Sequence, residues 1–169
     1  MARVWLSLGS NVDRAHNIRG ALGALAGEFG ELVVSRVFES EAVGFDGDPF
    51  YNLVVGLETR LGVDPLVGRL RAIEARFGRR RGGDKFAPRA LDIDLLTYGG
   101  RVSEETAVPL PRDEILKYAF VLLPLSEVAP EERHPRTGER YADLWAAFDQ
   151  RGQRLWPVPF ETGVGADPG

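Results

Sequence analysis

Leu91, Ile93 and Leu95 alternate with Asp92 and Asp94 inside the run Phe86-Ala87-Pro88-Arg89-Ala90-Leu91-Asp92-Ile93-Asp94-Leu95-Leu96-Thr97-Tyr98. Such alternation is the pattern of a half-buried strand, because successive side chains point to opposite faces. The aliphatics therefore face a core and both carboxylates stand on the other face, roughly 6–7 Å apart along the strand. Two acids that close repel each other and raise one pKa unless a cation sits between them. Their hard oxygens suit Mg2+, which takes one or two carboxylates and leaves its other positions to water and substrate phosphates. A solvated strand face carries such a pair equally well, so Asp-x-Asp alone does not decide. The preceding segment, Arg79-Arg80-Arg81-Gly82-Gly83-Asp84-Lys85, is cationic and loosened by glycine. Carboxylates for a metal beside arginines for phosphate point to a nucleotide site.

A chain of 169 residues suffices for one domain with its own core. The absence of cysteine excludes a disulfide framework, thiolate metal ligands and a cysteine nucleophile. A net charge of -4 argues against broad affinity for nucleic acid or membrane surfaces. The Arg79–Lys85 cluster is thus a local exception in an acidic chain. Met1-Ala2-Arg3-Val4-Trp5-Leu6-Ser7-Leu8 runs into polar residues and glycine too soon for a signal peptide or a membrane span, and a cytoplasmic protein is expected.

In chain order, Val4, Leu6 and Leu8 mark a first strand that stops at Gly9-Ser10-Asn11. Asp13 is expected to cap a helix whose apolar stripe is Ile18, Leu22, Leu25 and Phe29, ended by Gly30. A second strand is predicted over 32–38 and a loop over 39–49. A third strand over 51–59 turns Leu53, Val55 and Leu57 inward and Asn52 to the opposite face. Asp64-Pro65 starts a second helix along Leu66, Leu70, Ile73 and Phe77, closed by Gly78. The Asp-x-Asp strand follows. Strand, helix, strand, strand, helix, strand is the order of a ferredoxin-like βαββαβ fold of the α+β class. Its antiparallel sheet is covered by helices on one face and free for ligands on the other. Asp92, Asp94 and Asn52 then share the free face. Beyond lies a C-terminal helical extension: a helix from Asp113 interrupted by Pro124 and Pro130, and a short amphipathic one over 141–148. One domain is expected over 1–160, with a disordered tail over 161–169.

The ordered set of motifs resembles the 6-hydroxymethyl-7,8-dihydropterin pyrophosphokinase family. The set comprises Leu8-Gly9-Ser10-Asn11, Phe50-Tyr51-Asn52, Ile73-Glu74-Ala75-Arg76-Phe77-Gly78-Arg79, Pro88-Arg89-Ala90-Leu91-Asp92-Ile93-Asp94-Leu95-Leu96, Leu110-Pro111 and Ala119-Phe120-Val121-Leu122. The resemblance implies transfer of pyrophosphate from MgATP to the pterin hydroxymethyl oxygen, with release of AMP. It implies that Asp92 and Asp94 bind two Mg2+ ions, and that Arg79 and Arg89 are catalytic contacts to phosphate. It also implies pterin contacts from Ser40, Val43, Phe50, Asn52, Phe86 and Phe120: two aromatic rings sandwich the heterocycle while an amide reads its edge. For the nucleotide it implies Arg71, Glu74, Arg79, Arg81, Arg89, Leu95 and Arg112. Without the resemblance, Phe50 and Phe120 read as core residues and Glu74 as a solvated helix face.

This chain departs from the family pattern in three places. Arg112 stands where histidine is usual and Tyr118 where an arginine is usual, and Ser40-Glu41 replaces threonine-proline. Arg112 keeps a cation for an α- or β-phosphate, whereas Tyr118 cannot supply a charge. His16 and His134 fall outside the expected site, so neither is a candidate general base. The expected partners are ATP and the pterin, with no nucleic acid and no membrane, and the protein is expected to be a monomer. Two rival readings use the same residues. A two-metal nucleotidyl transferase would release pyrophosphate. An RNA-binding module would clamp phosphates with Arg79–Lys85, though no run of strand aromatics supplies its stacking platform.

Overall fold

The computed structural model describes residues 1–41, 48–78 and 90–163. Strand β1 (Ala2–Ser10) leads through a turn into helix α1 (Arg14–Phe29). Two short strands, β2 (Val33–Val34) and β3 (Val37–Ser40), precede the long β4 (Phe50–Thr59). Helix α2 (Val63–Arg76) then returns to β5 (Asp92–Tyr98). The sheet runs β5-β1-β4-β3, with β2 also beside β4, and every pairing is antiparallel. This is the βαββαβ arrangement expected. Val4, Leu6 and Leu8 of β1, Leu53, Val55 and Leu57 of β4, and Ile93 and Leu95 of β5 share one buried cluster with Ile18 and Leu22 of α1 and Leu66 and Leu70 of α2. Each fully buried aliphatic contributes about 1.5–3 kcal/mol relative to exposure, so this layer holds α1 and α2 to the sheet.

The second face is only partly free. Helices α3 (Glu114–Lys117), α4 (Ala119–Val128) and α5 (Tyr141–Ala146) close a second cluster in which Ile115, Leu122, Leu125 and Tyr141 meet Trp5, Val54 and Leu96. Trp5 lies flat across β4 because its register partner is Gly56, where a Cβ would come within 2.5 Å of the indole ring. Its Nε1 donates to Glu132 Oε1 at 3.1 Å, fixing the extension to the sheet. The extension therefore covers the part of this face that carries Trp5, Val54 and Leu96.

Several local expectations change. The single second strand is two, because Val34 pairs with Val55 and Phe38 with Asn52. Four steps on one strand match three on the other, which is a β-bulge. Ser35 fills the gap: its N–H donates to the Val54 carbonyl (2.9 Å) and its Oγ accepts from the Val54 N–H (2.8 Å). Asp13 takes the N-cap position of α1 but its side chain makes no capping bond, since its backbone is left-handed at φ 44° and ψ 48°. The break in the C-terminal helix falls at Tyr118, whose backbone is extended, and Pro124 lies inside α4. The Tyr118 carbonyl accepts from the N–H groups of Val121 and Leu122, so the tyrosine starts the second helix and ends the first. A further strand, β6 (Leu155–Val158), pairs with β3 at the sheet edge, where Pro157 is tolerated. Past it, the Glu161 carbonyl accepts from Arg19 Nε at 3.0 Å.

Candidate active site

The register decides which side chains meet. Gly9 of β1 pairs with Asp92 on one side and with Asn52 on the other, and Asn52 pairs in turn with Phe38. One step along, Ser7 pairs with Asp94 and Val54. Directly opposed residues share a face in an antiparallel sheet, so Asp92, Asp94 and Asn52 stand on the second face as expected. The glycine at the centre leaves a floor without a side chain. A Cβ there would sit 3.1 Å from Asn52 Oδ1 and 3.7 Å from Phe50 Cδ1.

Asn52 is 4% exposed, and its Nδ2 donates to the buried Ser40 Oγ at 2.6 Å. That bond orients the amide and leaves its Oδ1 toward Gly9. Phe50, the register partner of Ser40, is half-buried on the same face. Phe120, in the first turn of α4, is half-buried and stacked on Tyr118 with centroids 5.0 Å apart and planes 13° from parallel. Tyr118 thus spends its ring supporting Phe120. The structure brings Ser40, Phe50 and Asn52 together on two adjacent strands, and holds Phe120 in the extension that packs on the same face of the sheet.

At the outer edge of β5, a cleft is lined by Val67, Leu70, Arg71, Ile93, Asp94, Leu95, Val108 and Arg112. Three of the expected nucleotide residues, Arg71, Leu95 and Arg112, meet there beside one of the paired acids. Arg112 Nη2 lies 2.8 Å from Glu114 Oε1 and 3.8 Å from Asp94 Oδ1. Burial disfavours its charge, but the carboxylates of Asp94, Glu114 and Asp113 outweigh that and raise its pKa, so the guanidinium stays charged. Among the described residues its buried Nε has no partner. The two carboxylates on alternate residues of one strand are hard oxygen donors of the number Mg2+ takes from protein, with water and phosphate oxygens completing its shell, while Arg112 is a cation beside the second acid and not a donor.

Glu74 is not among the residues lining the cleft. It is 1% exposed, and its Oε2 accepts the Ile93 N–H at 2.8 Å. Ile93 separates the two aspartates, so this carboxylate holds their strand from behind. The chain just before the strand is held by Ser10, which the sequence reading named only within a motif, and by Asn17, which it passed over. Ser10 Oγ and Asn17 Nδ2 both donate to the carbonyl of Ala90, the latter at 3.0 Å. Asn17 is an asparagine buried in a helix, a signal legible in principle because such a residue needs a fixed partner. Val43, Arg79, Arg81, Phe86 and Arg89 lie outside the described residues. Among those described, no group of three or more histidine, cysteine or acidic side chains is placed to hold a metal.

The profile of the 7,8-dihydro-6-hydroxymethylpterin-pyrophosphokinase (HPPK) family matches residues 5–130. The chain belongs to this family. A 2-amino-4-hydroxy-6-hydroxymethyldihydropteridine pyrophosphokinase of Synechocystis is 34% identical over 168 residues, covering 96% of this chain and 85% of that one. One of Methylorubrum extorquens is 40% identical over 136 residues, covering 78% and 85%. The solved structure of Plasmodium falciparum HPPK-DHPS with pteroate superposes with a TM-score of 0.65 at 15% identity, over 86% of this chain and 42% of that one. At that identity the likeness speaks for the fold. The HPPK profile ends before α5 and β6, whereas the Synechocystis relative matches nearly the whole chain.

Proposed function

We infer that this chain is an ATP-dependent pyrophosphokinase that converts 6-hydroxymethyl-7,8-dihydropterin to its diphosphate in folate biosynthesis, releasing AMP. The observation that carries the reading is the cross-strand row Asp92–Gly9–Asn52, which sets a carboxylate and an oriented amide on either side of a glycine floor. Asn52 accepts from the pterin's polar edge through the Oδ1 that its bond to Ser40 leaves available. Phe50 and Phe120 bound the flat ring, and Val43 and Phe86 complete the pterin contacts. Arg71 and Leu95 bind the nucleoside end of ATP in the cleft at the edge of β5. Arg112 meets the triphosphate next to Asp94, and Arg79, Arg81 and Arg89 supply the remaining phosphate contacts.

Asp92 and Asp94 would hold Mg2+, two ions on this reading, and the metal would supply stabilisation of the charge that develops on phosphate oxygens. The protein's own work is positioning and charge. The pterin oxygen forms a bond to the β-phosphorus, the bond from that phosphorus to the AMP oxygen breaks, and the hydroxyl proton passes to solvent. The arginines bind the AMP phosphate as it gains charge. No histidine takes part: His16 is exposed on α1, and His134 is buried with its Nδ1 accepting the N–H groups of Arg136 and Thr137.

The same reading has the chain act as a monomer in the cytoplasm, on small molecules alone, as a single domain over 1–160. The pairing of β6 with β3 supports the last point, since residues 155–158 join the same sheet as the first strands. Incubation with ATP, Mg2+ and the pterin tests the reaction, with products separated by chromatography. Equal amounts of AMP and pterin diphosphate are expected. ADP, free pyrophosphate, or AMP formed equally well without pterin overturns the reading.

A further inference from the structure

Arg14 opens α1, on the face of the sheet opposite Asn52. Its Nη1 donates to Glu39 Oε1 at 2.9 Å and to the Pro49 carbonyl at 3.1 Å. The guanidinium carbon lies 3.9 Å from the centre of the Tyr51 ring. Glu39 lies on β3 and Tyr51 on β4, and the two are register partners. One guanidinium therefore ties the last rungs of both strands. The tie is built from more than one side. Glu39 Oε2 accepts from Trp156 Nε1 of β6 at 3.2 Å, and Phe160 packs its ring edge-on to Tyr51 with centroids 5.9 Å apart. The bond from Arg14 pulls the Glu39 carboxyl below the usual range, against partial burial and with help from Trp156.

Glu39 is followed by Ser40, and Pro49 by Phe50, and Ser40 pairs directly with Phe50. Alternation sends Ser40, Phe50 and Asn52 to the other face, where the Ser40–Asn52 bond orients the amide. A spacer set on one face of a two-strand rung fixes the separation of the side chains on the other. We propose that Arg14 is a positioning residue for the heterocycle, acting through Glu39 and Pro49 on the Ser40–Phe50–Asn52 wall without touching the ligand. This rests on the pterin reading of that wall. An exposed ion pair alone contributes little. Here a carboxylate, a carbonyl and a ring on two strands converge on one half-buried side chain, so the effect falls on local geometry more than on global stability.

Arg140 provides an internal control: this arginine pairs with Glu131 and Asp143 in the C-terminal extension. The experiment titrates 6-hydroxymethylpterin, followed by its own fluorescence, into protein saturated with Mg2+ and α,β-methylene-ATP, and separately titrates the nucleotide. Arg14→Ala is expected to weaken pterin binding about tenfold, the scale of one misoriented hydrogen bond in a closed site, while nucleotide binding changes less than about twofold. Arg14→Lys, which keeps a donor near Glu39, should recover most of the loss, and Arg140→Ala should match the parent protein. An Arg14→Ala protein that binds pterin within twofold of the parent overturns the proposal, as does equal weakening of both ligands. Should Arg14→Ala fail to fold by circular dichroism, Glu39→Ala takes its place with the same expected split and the same refuting results. A parent protein that binds nucleotide but no pterin instead overturns the functional reading on which the proposal rests.

Discussion

Replacing Glu74 separates two roles for a residue that the family pattern associates with the nucleotide. In Glu74→Ala the Ile93 N–H loses an acceptor 2.8 Å away, at a position where the glutamate is 1% exposed. Leaving a buried donor unsatisfied costs about 1–3 kcal/mol. Deleting the side-chain carbons beneath α2 adds a cavity term, so the sum is roughly 2–4 kcal/mol. For a chain of this size that corresponds to a fall in Tm of roughly 5–15 °C. Glu74→Gln keeps an oxygen acceptor and should lose only about 1 kcal/mol. Because Ile93 sits between the paired aspartates, any movement of β5 also misplaces the two residues proposed to hold Mg2+, and a displacement near 1 Å can cost on the order of 100-fold in rate. Urea denaturation of both variants, with initial rates at saturating ATP, measures the two effects together. A nucleotide contact would raise the KM for ATP and leave stability alone. If Glu74→Ala melts within about 2 °C of the parent while its KM for ATP rises, the anchoring role is refuted.

Gly9→Ala puts a methyl group 3.1 Å from Asn52 Oδ1 and should weaken pterin binding roughly 3- to 10-fold, the range of one displaced hydrogen bond, while the fold persists; unchanged affinity would show the floor is not part of the pocket. Asp92→Asn and Asp94→Asn keep side-chain shape and remove one charge each, so turnover should fall at least about 100-fold with Mg2+ protection against urea abolished, and a variant that is still protected and active would remove that acid from the metal site. His134 has its pKa lowered by burial and by nearby Arg136, with Glu139 opposing. The unfolded chain then takes the proton first: stability is full above about pH 6.5 and falls as pH drops through the folded pKa, by up to about 1.4 kcal/mol per pH unit. Urea midpoints at pH 7.5 and pH 5 should drop more steeply for the parent than for His134→Asn, and equal slopes would refute this.

The parts of this fold legible in the sequence are those where one buried face imposes a period of two. Leu53, Val55 and Leu57 set Asn52 on the opposite face, and Leu91, Ile93 and Leu95 do the same for the aspartates, which is enough to bring all three polar residues to one surface. What stayed hidden depends on partners distant in the chain. The Trp156–Glu39 bond spans 117 positions, and the strand carrying Trp156 is four residues long and contains a proline. The break at Tyr118 rests on an aromatic stack and on a Gln153 side chain that accepts the Ala119 N–H at 2.8 Å, neither of which a proline count reveals. Glu74 misleads for a related reason: the rule that a helical glutamate faces solvent fails when a sheet edge offers it a buried N–H. Gly9 shows why such exceptions gather at the site. A glycine inside a strand costs about 0.5–1 kcal/mol relative to alanine, so local stability alone would fill that position. It stays empty where a methyl group would press on the Asn52 amide proposed to read the pterin, and the loss is offset by the aliphatic layer on the other side of the same strand.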